Sequence, residues 1–346
     1  MKMPDNAIAR EHKSIAMTLR DQRVILLILI IVIAIIVGSI NPRFFGVNNV
    51  VQIFQQISVT GLLTMGMAML LLTGGLDLSI GSIMILSGVV MSILITGGTE
   101  QTASSIDSVK SVLATDNGIV PVPAAILIGI LVAFGCGIVN GIIVAKSKCA
   151  PLIITLGMSG VYYGIALVLS GGKFLAFKMA FEPLRVLKIG GVLPVTLIIF
   201  MFLVVVTWFL INRTKYGRRV VAIGGNEENA RLSGIHVDFY KIATYAISGL
   251  LCGIAAILYA TRLDSITAGG GSGYELDALT GAIIGGVTFD GGKGSIVGAF
   301  LGVLFMGLIK NSMNVLSVDS YIQTIVSGVI VVVAVIISNI DNLRKA

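Results

Sequence analysis

Long apolar segments, separated by short polar connections, follow one another along almost the whole chain. They are too long for strands and too uniformly apolar for helices on the surface of a soluble protein. A helix needs about 20 residues to cross the hydrocarbon core of a bilayer. We therefore predict an all-α, polytopic membrane protein with about ten transmembrane helices, some short or broken, at residues 24–40, 51–73, 78–96, 122–145, 151–171, 192–212, 241–261, 276–290, 294–314 and 320–339.

The first apolar segment, residues 24–40, is preceded by basic residues, as in a signal peptide, but no small-residue cleavage site follows it. We interpret it as a retained first helix. The predicted organisation is a cytoplasmic N-terminal segment 1–23, a transmembrane domain 24–340 and a cytoplasmic tail 341–346. The polar segment 97–121, rich in Ser and Thr, is predicted to be an outer surface insertion, and we assign it no chemistry.

Composition supports a membrane protein, since 56% of the residues are hydrophobic and 12% are charged. Soluble domains contain about 45–50% apolar and about 25% charged residues. The net charge of +7 could indicate a nucleic-acid partner or a cytoplasmic excess of basic residues. With the N-terminus inside, 16 of the 24 Lys and Arg residues fall in cytoplasmic segments, as the positive-inside rule requires. We predict that both termini are cytoplasmic and that no nucleic acid is bound.

The longest strongly charged cytoplasmic connection, residues 213–240, contains helix signals. Asn226 can cap a helix by accepting backbone N–H bonds, and Glu227 and Glu228 suit the positive end of the helix dipole. Gly234 can adopt the left-handed conformation that ends a helix. We predict about two turns of helix outside the membrane, too short to be stable alone in water.

Such a helix needs a surface to dock against. A solvated linker with an incidental turn is the alternative for this connection. Gly224 and Gly225, immediately before the cap, favour a shaped loop, because glycine allows backbone angles that are closed to other residues.

The chain lacks the residues expected for ATP hydrolysis. A phosphate-binding loop requires G-x-x-x-x-G-K followed by Ser or Thr, whereas VTFDGGKGS at residues 287–295 has Val287 at the first position and Gly294 after the Lys. The only histidines, His12 and His236, lie in charged segments, and the three cysteines lack metal-ligand spacing. We predict no catalytic residue, no metal and no cofactor in this chain.

Polar residues near the ends of the spans are candidates for a translocation pathway, because ionisable groups in a bilayer usually face a cavity or a partner. Asp77 and Asp290 both lie in D-x-x-x-G-S-I sequences at predicted cytoplasmic turns. A broken helix beside the pathway and a tight turn capped by Asp are both open, as is a structural repeat. Ser79 and Asn140 are further candidates.

A second polar group lies in the predicted span 51–73. Gln52, Gln55, Gln56 and Thr60 are spaced so that they share one helix face. Their amides and hydroxyl could bind the hydroxyls of a sugar, although hydrogen bonding between helices is at least as good an explanation.

Four stretches resemble a known family. TKYGRRVVAIGGNEENARLSGI, residues 214–235, is similar to the cytoplasmic loop of permease subunits in the ribose, xylose and galactose class of bacterial ABC importers. The others, in the same order as in the family, are LLLTGGLDLSIGSIM at 70–84, VNGIIVAK with PLIITLGM at 139–158, and YELDALTGAIIGGVTFDGGKGSIVGAFLG at 274–302. The resemblance covers almost the whole chain.

This resemblance implies a permease that imports a pentose or hexose by alternating access in the bacterial cytoplasmic membrane. It implies three partners: an ATPase subunit with two nucleotide-binding modules that holds ATP and Mg²⁺, an extracytoplasmic solute-binding protein, and a second permease copy or paralogue. It also implies that the cytoplasmic loop transmits movement of the ATPase, through Arg218, Gly224, Gly225, Asn226, Glu228, Ala230, Arg231 and Gly234.

Three alternatives remain open from sequence. The importer could carry a nucleoside or a branched-chain amino acid, whose permeases are distant relatives. A secondary transporter driven by H⁺ or Na⁺ would need acidic groups near the middle of the membrane, and Asp77 and Asp290 lie at turns. A membrane scaffold that docks a soluble protein on the same loop would bind without transport.

Overall fold

The computed structural model describes residues 22–97, 120–189 and 193–338, which are mostly helical. Within these ranges the helices are α1 (Gln22–Ile40), α2 (Val47–Leu72), α3 (Ile80–Thr96), α4 (Val122–Ser147), α5 (Pro151–Ser170), α6 (Glu182–Val186), α7 (Val195–Arg213), α8 (Lys215–Gly225), α9 (Glu227–Leu232), α10 (Val237–Leu263), α11 (Tyr274–Ile284), α12 (Ile296–Val315) and α13 (Ser320–Ser338). The strands are β1 (Leu175–Ala176), β2 (Lys188–Ile189), β3 (Leu193–Pro194) and β4 (Ser265–Ile266).

The predicted all-α membrane fold is confirmed. Each of the ten predicted segments contains a helix, and seven helices of the described chain, α1, α2, α4, α5, α7, α10 and α12, are long and apolar enough to cross a membrane. Helix α3 has 17 residues and α11 has only 11. The number of ten membrane crossings therefore stays a prediction, as do the boundaries of the membrane domain.

Several predicted segments fall outside the residues that the structure describes. The N-terminal segment 1–23 is covered only at residues 22 and 23, and the insertion 97–121 only at its two ends. The tail 341–346 is not covered. An addition to the predicted fold is two small antiparallel pairings, β1 with β4 and β2 with β3, in the connections next to α7 and α10.

The core of the molecule is built around α2 and α10. The share of buried residues in the apolar stretch is 83% for α2 and 72% for α10. For α1 it is only 17%. Helix α10 packs against α2, α3 and α4, while α2 also contacts α7, α11 and α12. Large apolar side chains of the peripheral helices, such as Ile153, Val168 and Phe202, are exposed and form a surface suited to lipid.

Glycines let the inner helices approach each other closely. A Cβ atom at Gly249 of α10 would lie 2.4 Å from the carbonyl oxygen of Ala133 in α4. One at Gly302 of α12 would lie 2.0 Å from the carbonyl oxygen of Gly281 in α11. Association of helices in lipid relies on such close van der Waals packing, because lipid tails are as apolar as the helix faces.

This packing yields a test with Gly302→Ala. The added methyl would force α11 and α12 apart, and we expect it to lower the free energy of unfolding by about 1–3 kcal/mol, as overpacking does. Denaturant titration in mixed micelles measures the change. Gly164→Ala in α5 is the matched control, since no atom lies within 4 Å of the place that its added methyl group would take. Equal stability of the two variants would contradict the packing argument.

Candidate functional site

Helix α8 occupies the first half of the charged connection between α7 and α10, where the sequence favoured a shaped loop over a solvated linker. The segment has a defined shape, but it is a helix and not a loop. The Thr214 hydroxyl caps the helix by accepting a hydrogen bond from the Gly217 N–H at 3.3 Å. Val220 and Ile223 are buried against the protein, whereas Arg218 is exposed. The amphipathic spacing of these residues explains why a helix forms here.

Helix α9 follows directly and has the predicted local structure. The side-chain oxygen of Asn226 accepts a hydrogen bond from the Asn229 N–H at 2.8 Å, so the cap is confirmed. Glu227 and Glu228 lie in the first turn. Gly234 has a φ of +79° just after the helix, as expected for a residue that ends it. We call α8 and α9 together, residues 215–232, the hairpin.

The hairpin is fixed to the start of α10. Ala230 is buried and packs with Val237 and Tyr240 in a small apolar cluster. The hydroxyls of Tyr216 and Thr244 are hydrogen-bonded at 2.7 Å, and burial raises the pKa of Tyr216 to about 12. The phenol therefore stays neutral at physiological pH. These contacts attach both helices of the hairpin to the first turns of α10.

Ion pairs add to this attachment. Glu227 pairs with Lys241 of α10 at 2.5 Å and with Arg231 at 3.5 Å, and Arg231 also pairs with Asp238 at 2.9 Å. Exposed pairs of this kind contribute only about 0–1 kcal/mol each. Their effect is to orient α9 relative to α10.

The C-terminal end of α8 touches two other backbones. A Cβ atom at Gly224 would lie 2.0 Å from the Leu72 carbonyl oxygen at the end of α2, and 2.5 Å from the Gly292 nitrogen in the turn between α11 and α12. The Gly292 N–H also donates to the Leu72 carbonyl at 3.2 Å. Gly224 is therefore required for close approach. Gly225 has no atom within 4 Å of its Cβ position.

A groove of about 800 Å³ runs between the hairpin and the turn from α4 to α5. Lys146, Lys148 and Cys149 of that turn lie on one side. Glu228 lies on the other side and, within the described chain, forms no ion pair. The wall on the α4–α5 side thus carries two lysines, whereas on the other side Arg231 and Lys241 are paired with acids and Glu228 remains as an exposed negative charge.

Asp77 is the centre of a buried polar network. Its carboxylate accepts hydrogen bonds from the Ser79 N–H at 2.8 Å, the Ser79 hydroxyl at 2.6 Å and the Asn140 amide at 3.1 Å. The Tyr162 hydroxyl donates to the Asn140 side-chain oxygen at 2.9 Å. All four side chains are buried, whereas Asp290 is exposed. The network ties α3, α4 and α5 together, and a pathway role for its members stays a prediction.

A second cavity, of about 480 Å³, lies towards the other end of α2. Gln56 and Thr60 border it, but Gln52 and Gln55 do not, so only half of the predicted polar face meets a cavity. The other walls come from α11, α12 and α13. The polar side chains among them include Tyr274, Asp277, Lys310, Ser320, Gln323, Thr324 and Ser327.

Asp277 and Lys310 form an ion pair at this cavity. Asp277 was overlooked among the acidic groups considered from sequence, although it lies within the predicted segment 276–290. The available signal was an acid and a base in consecutive apolar segments, which is unusual in a membrane protein.

Comparison with known proteins gives the family. Residues 49–335 match the family described as the permease component of the branched-chain amino acid transport system. The chain belongs to this permease family. It is 37% identical over 319 residues to the ribose import permease protein RbsC of Escherichia coli K12, covering 90% of this chain and 92% of that one.

Two further relatives from the same organism have similar coverage. The D-allose transport system permease protein AlsC is 36% identical, covering 89% of this chain and 88% of its own. The galactose/methyl galactoside import permease protein MglC is 33% identical, covering 93% and 95%. No solved structure matches the chain. The matched residues of the permease include both the hairpin and the cavity beside α2.

The contact at Gly224 in the permease can be tested with a neighbouring control. Gly224→Ala would push α8 away from α2 and from the turn at Gly292, so we expect faster tryptic cleavage at the exposed Arg218 and Arg219, together with a loss of stability of about 1–3 kcal/mol. Gly225→Ala has space for its methyl and should behave as the wild type. Indistinguishable digestion of the two variants would show that the contact does not hold the hairpin.

Proposed function

We propose that this permease is the membrane subunit of an ATP-driven importer and carries a pentose or hexose into the cell. The observation that carries the proposal is the identity of 33–37% over about nine tenths of the chain to permeases named for ribose, allose and galactose. The family description names branched-chain amino acids, whereas the relatives matched over about nine tenths of the chain are named for sugars. Relatives that match from end to end are the better guide to solute class.

The ATPase in this proposal is a separate subunit with two nucleotide-binding modules, which holds ATP and Mg²⁺. It docks on the hairpin and the adjoining groove. The permease acts as a pair with a second copy or a paralogue, and an extracytoplasmic binding protein delivers the sugar. With both termini in the cytoplasm of a bacterial cell, the hairpin lies on the side where ATP is available.

The hairpin can carry movement into the membrane through its own contacts. Because α8 and α9 are fixed to α10 through Tyr216 and Ala230, a displacement of the hairpin also displaces α10. At Gly224 the end of α8 abuts the end of α2 and the turn between α11 and α12. Movement of the docked partner would thus reach three membrane elements and switch the pathway between outward-open and inward-open states.

An ion-driven mechanism is less well supported. Two acids come into question for such a mechanism. Asp277 is already paired with Lys310 of the same chain, and Asp77 is buried, with its carboxylate hydrogen-bonded to Ser79 and Asn140 and away from the cavity. The hairpin would also have no function in that mechanism.

Uptake of labelled sugars tests the proposal. Vesicles containing the permease, its ATPase and its binding protein should accumulate ribose, xylose or galactose only with ATP inside. Glu228→Arg places a positive charge in the groove and should reduce uptake about tenfold or more, because it removes one charged contact and adds a repulsive one. Asn229→Arg, on the same helix but not bordering the groove, should reduce uptake much less than Glu228→Arg.

The outcomes separate the alternatives. Uptake that does not depend on ATP but is abolished by an ionophore would favour the secondary transporter. ATP-dependent uptake of leucine without uptake of sugar would identify an amino-acid permease. Binding of the ATPase without uptake of any solute would favour the scaffold.

Cys149 provides a direct probe of the docking surface. It is exposed at the groove, whereas Cys252 is buried and Cys136 is partly buried. We expect the ATPase subunit to slow maleimide labelling of Cys149 severalfold in detergent, because docking covers the groove. Lys178→Cys in a Cys149→Ser background is the control, as residue 178 lies in the connection after α5, away from the groove. Unchanged labelling of Cys149 in an isolated, intact complex would place the ATPase elsewhere.

A further inference from the structure

The ion pair between Asp277 and Lys310 has no evident need in packing. It connects α11 with α12, but these helices already meet through backbone contacts at Gly281, Gly285 and Gly302. A charged pair in an apolar bundle gives little net stability, because removing both groups from water costs about as much as their attraction returns. Charged residues in membrane segments usually mark a functional site.

The pair faces open space. The side chains of Asp277 and Lys310 are 17% and 26% exposed, and both border the cavity of about 480 Å³. A narrow recess beside the cavity is bordered by the same two residues and by Gln56 and Thr60 of α2. The pair is therefore accessible from the cavity and shares its lining with the Gln56 amide and the Thr60 hydroxyl of α2.

The size of the cavity suits a small solute. Binding sites for small molecules measure about 300–1,000 Å³ and combine apolar walls with a few placed polar groups. Leu276 and Val331 supply apolar wall. Tyr274 of α11 and Gln323 and Ser327 of α13 supply hydroxyl and amide groups.

The chemistry of the pair suits a sugar. A carboxylate can accept hydrogen bonds from two neighbouring hydroxyls, and an ammonium group can donate to hydroxyl or ring oxygens. Hydrogen bonds to charged groups are the stronger ones. A neutral polyol satisfies both members of the pair without leaving either charge alone, whereas an ionic solute would compete with one of them.

We propose that Asp277 and Lys310 form a sugar-binding station at the end of the pathway opposite the hairpin. This inference rests on the proposed function, since it assigns the sugar a place within it. Thr60 at the cavity and Leu72 at the Gly224 contact lie on one helix, about 18 Å apart at the usual rise per residue. In the empty state the two charges satisfy each other, so a sugar must compete with the pair. Binding is therefore weak, which a pathway requires because the solute must also leave.

The experiment measures sugar uptake in the complete, ATP-dependent complex with four variants. Asp277→Asn and Lys310→Met each remove one charge, and we expect uptake to fall about tenfold. The exchange variant, Asp277→Lys with Lys310→Asp, keeps an ion pair but reverses it, and we expect uptake to stay low while the melting temperature returns towards the wild-type value. Glu182→Gln is the matched control, since it breaks the pair with Arg185 that borders neither cavity nor groove.

A variant at a second, uncharged position separates loss of sugar binding from misfolding of the charge variants. Gln56→Leu removes the amide that α2 contributes to the cavity, and we expect it to raise the KM for sugar severalfold with little change in melting temperature. ATP hydrolysis by the assembled complex in the absence of sugar should remain within about twofold of the wild type in every variant, because the hairpin is untouched.

Each outcome has a defined meaning. Full recovery of uptake in the exchange variant would make the pair purely structural and overturn the station. Normal uptake in Asp277→Asn and Gln56→Leu would overturn it as well, while leaving the proposed function intact. Absence of sugar uptake by the wild type would instead refute the proposed function, and the station with it.

Discussion

The burial of α2 is the constraint on which the rest of the molecule depends. Lipid provides no hydrophobic drive for helices to associate, so a helix surrounded by other helices must be held by close packing and by hydrogen bonds. Residues of α2 from Ile57 onward are almost completely buried. The surrounding contacts use small residues, and the packing of α11 against α12 through Gly281 and Gly302 belongs to the same arrangement.

One consequence is that α2 connects the polar cavity with the hairpin contact at Gly224. Its middle carries Gln56 and Thr60, which border the polar cavity, and its C-terminal end at Leu72 meets the hairpin at Gly224. A well-packed helix transmits displacement along its axis because its neighbours leave it little room to bend. The geometry therefore provides a physical route between the hairpin and the cavity.

Polar groups are used in two different ways within this apolar body. Asp77, Ser79, Asn140 and Tyr162 satisfy one another completely and are closed to solvent, as a structural network should be. Asp277 and Lys310 also pair, but at the wall of a cavity. The two groups contain similar residue types. They differ in that the Asp77 network is buried, whereas the Asp277–Lys310 pair is accessible from a cavity.

The sequence by itself determined the class of the protein, the positions of its apolar helices, and the cap of α9 at Asn226, because these depend on local composition and on contacts between near neighbours. The four family motifs also led to the permease family. The sequence did not reveal α8, because the glycines at its end suggested a loop, and Gly224 is explained only by the backbones of α2 and of the turn at Gly292.

The tertiary structure alone decided which polar residues meet. Gln56 faces a cavity and Gln52 does not, although both lie on one face of the same helix. Asp277 and Lys310 are 33 residues apart in the chain and come together only because α11 and α12 pack side by side. Periodicity describes one helix at a time, whereas a cavity is defined by several helices whose arrangement follows from packing across the whole membrane domain.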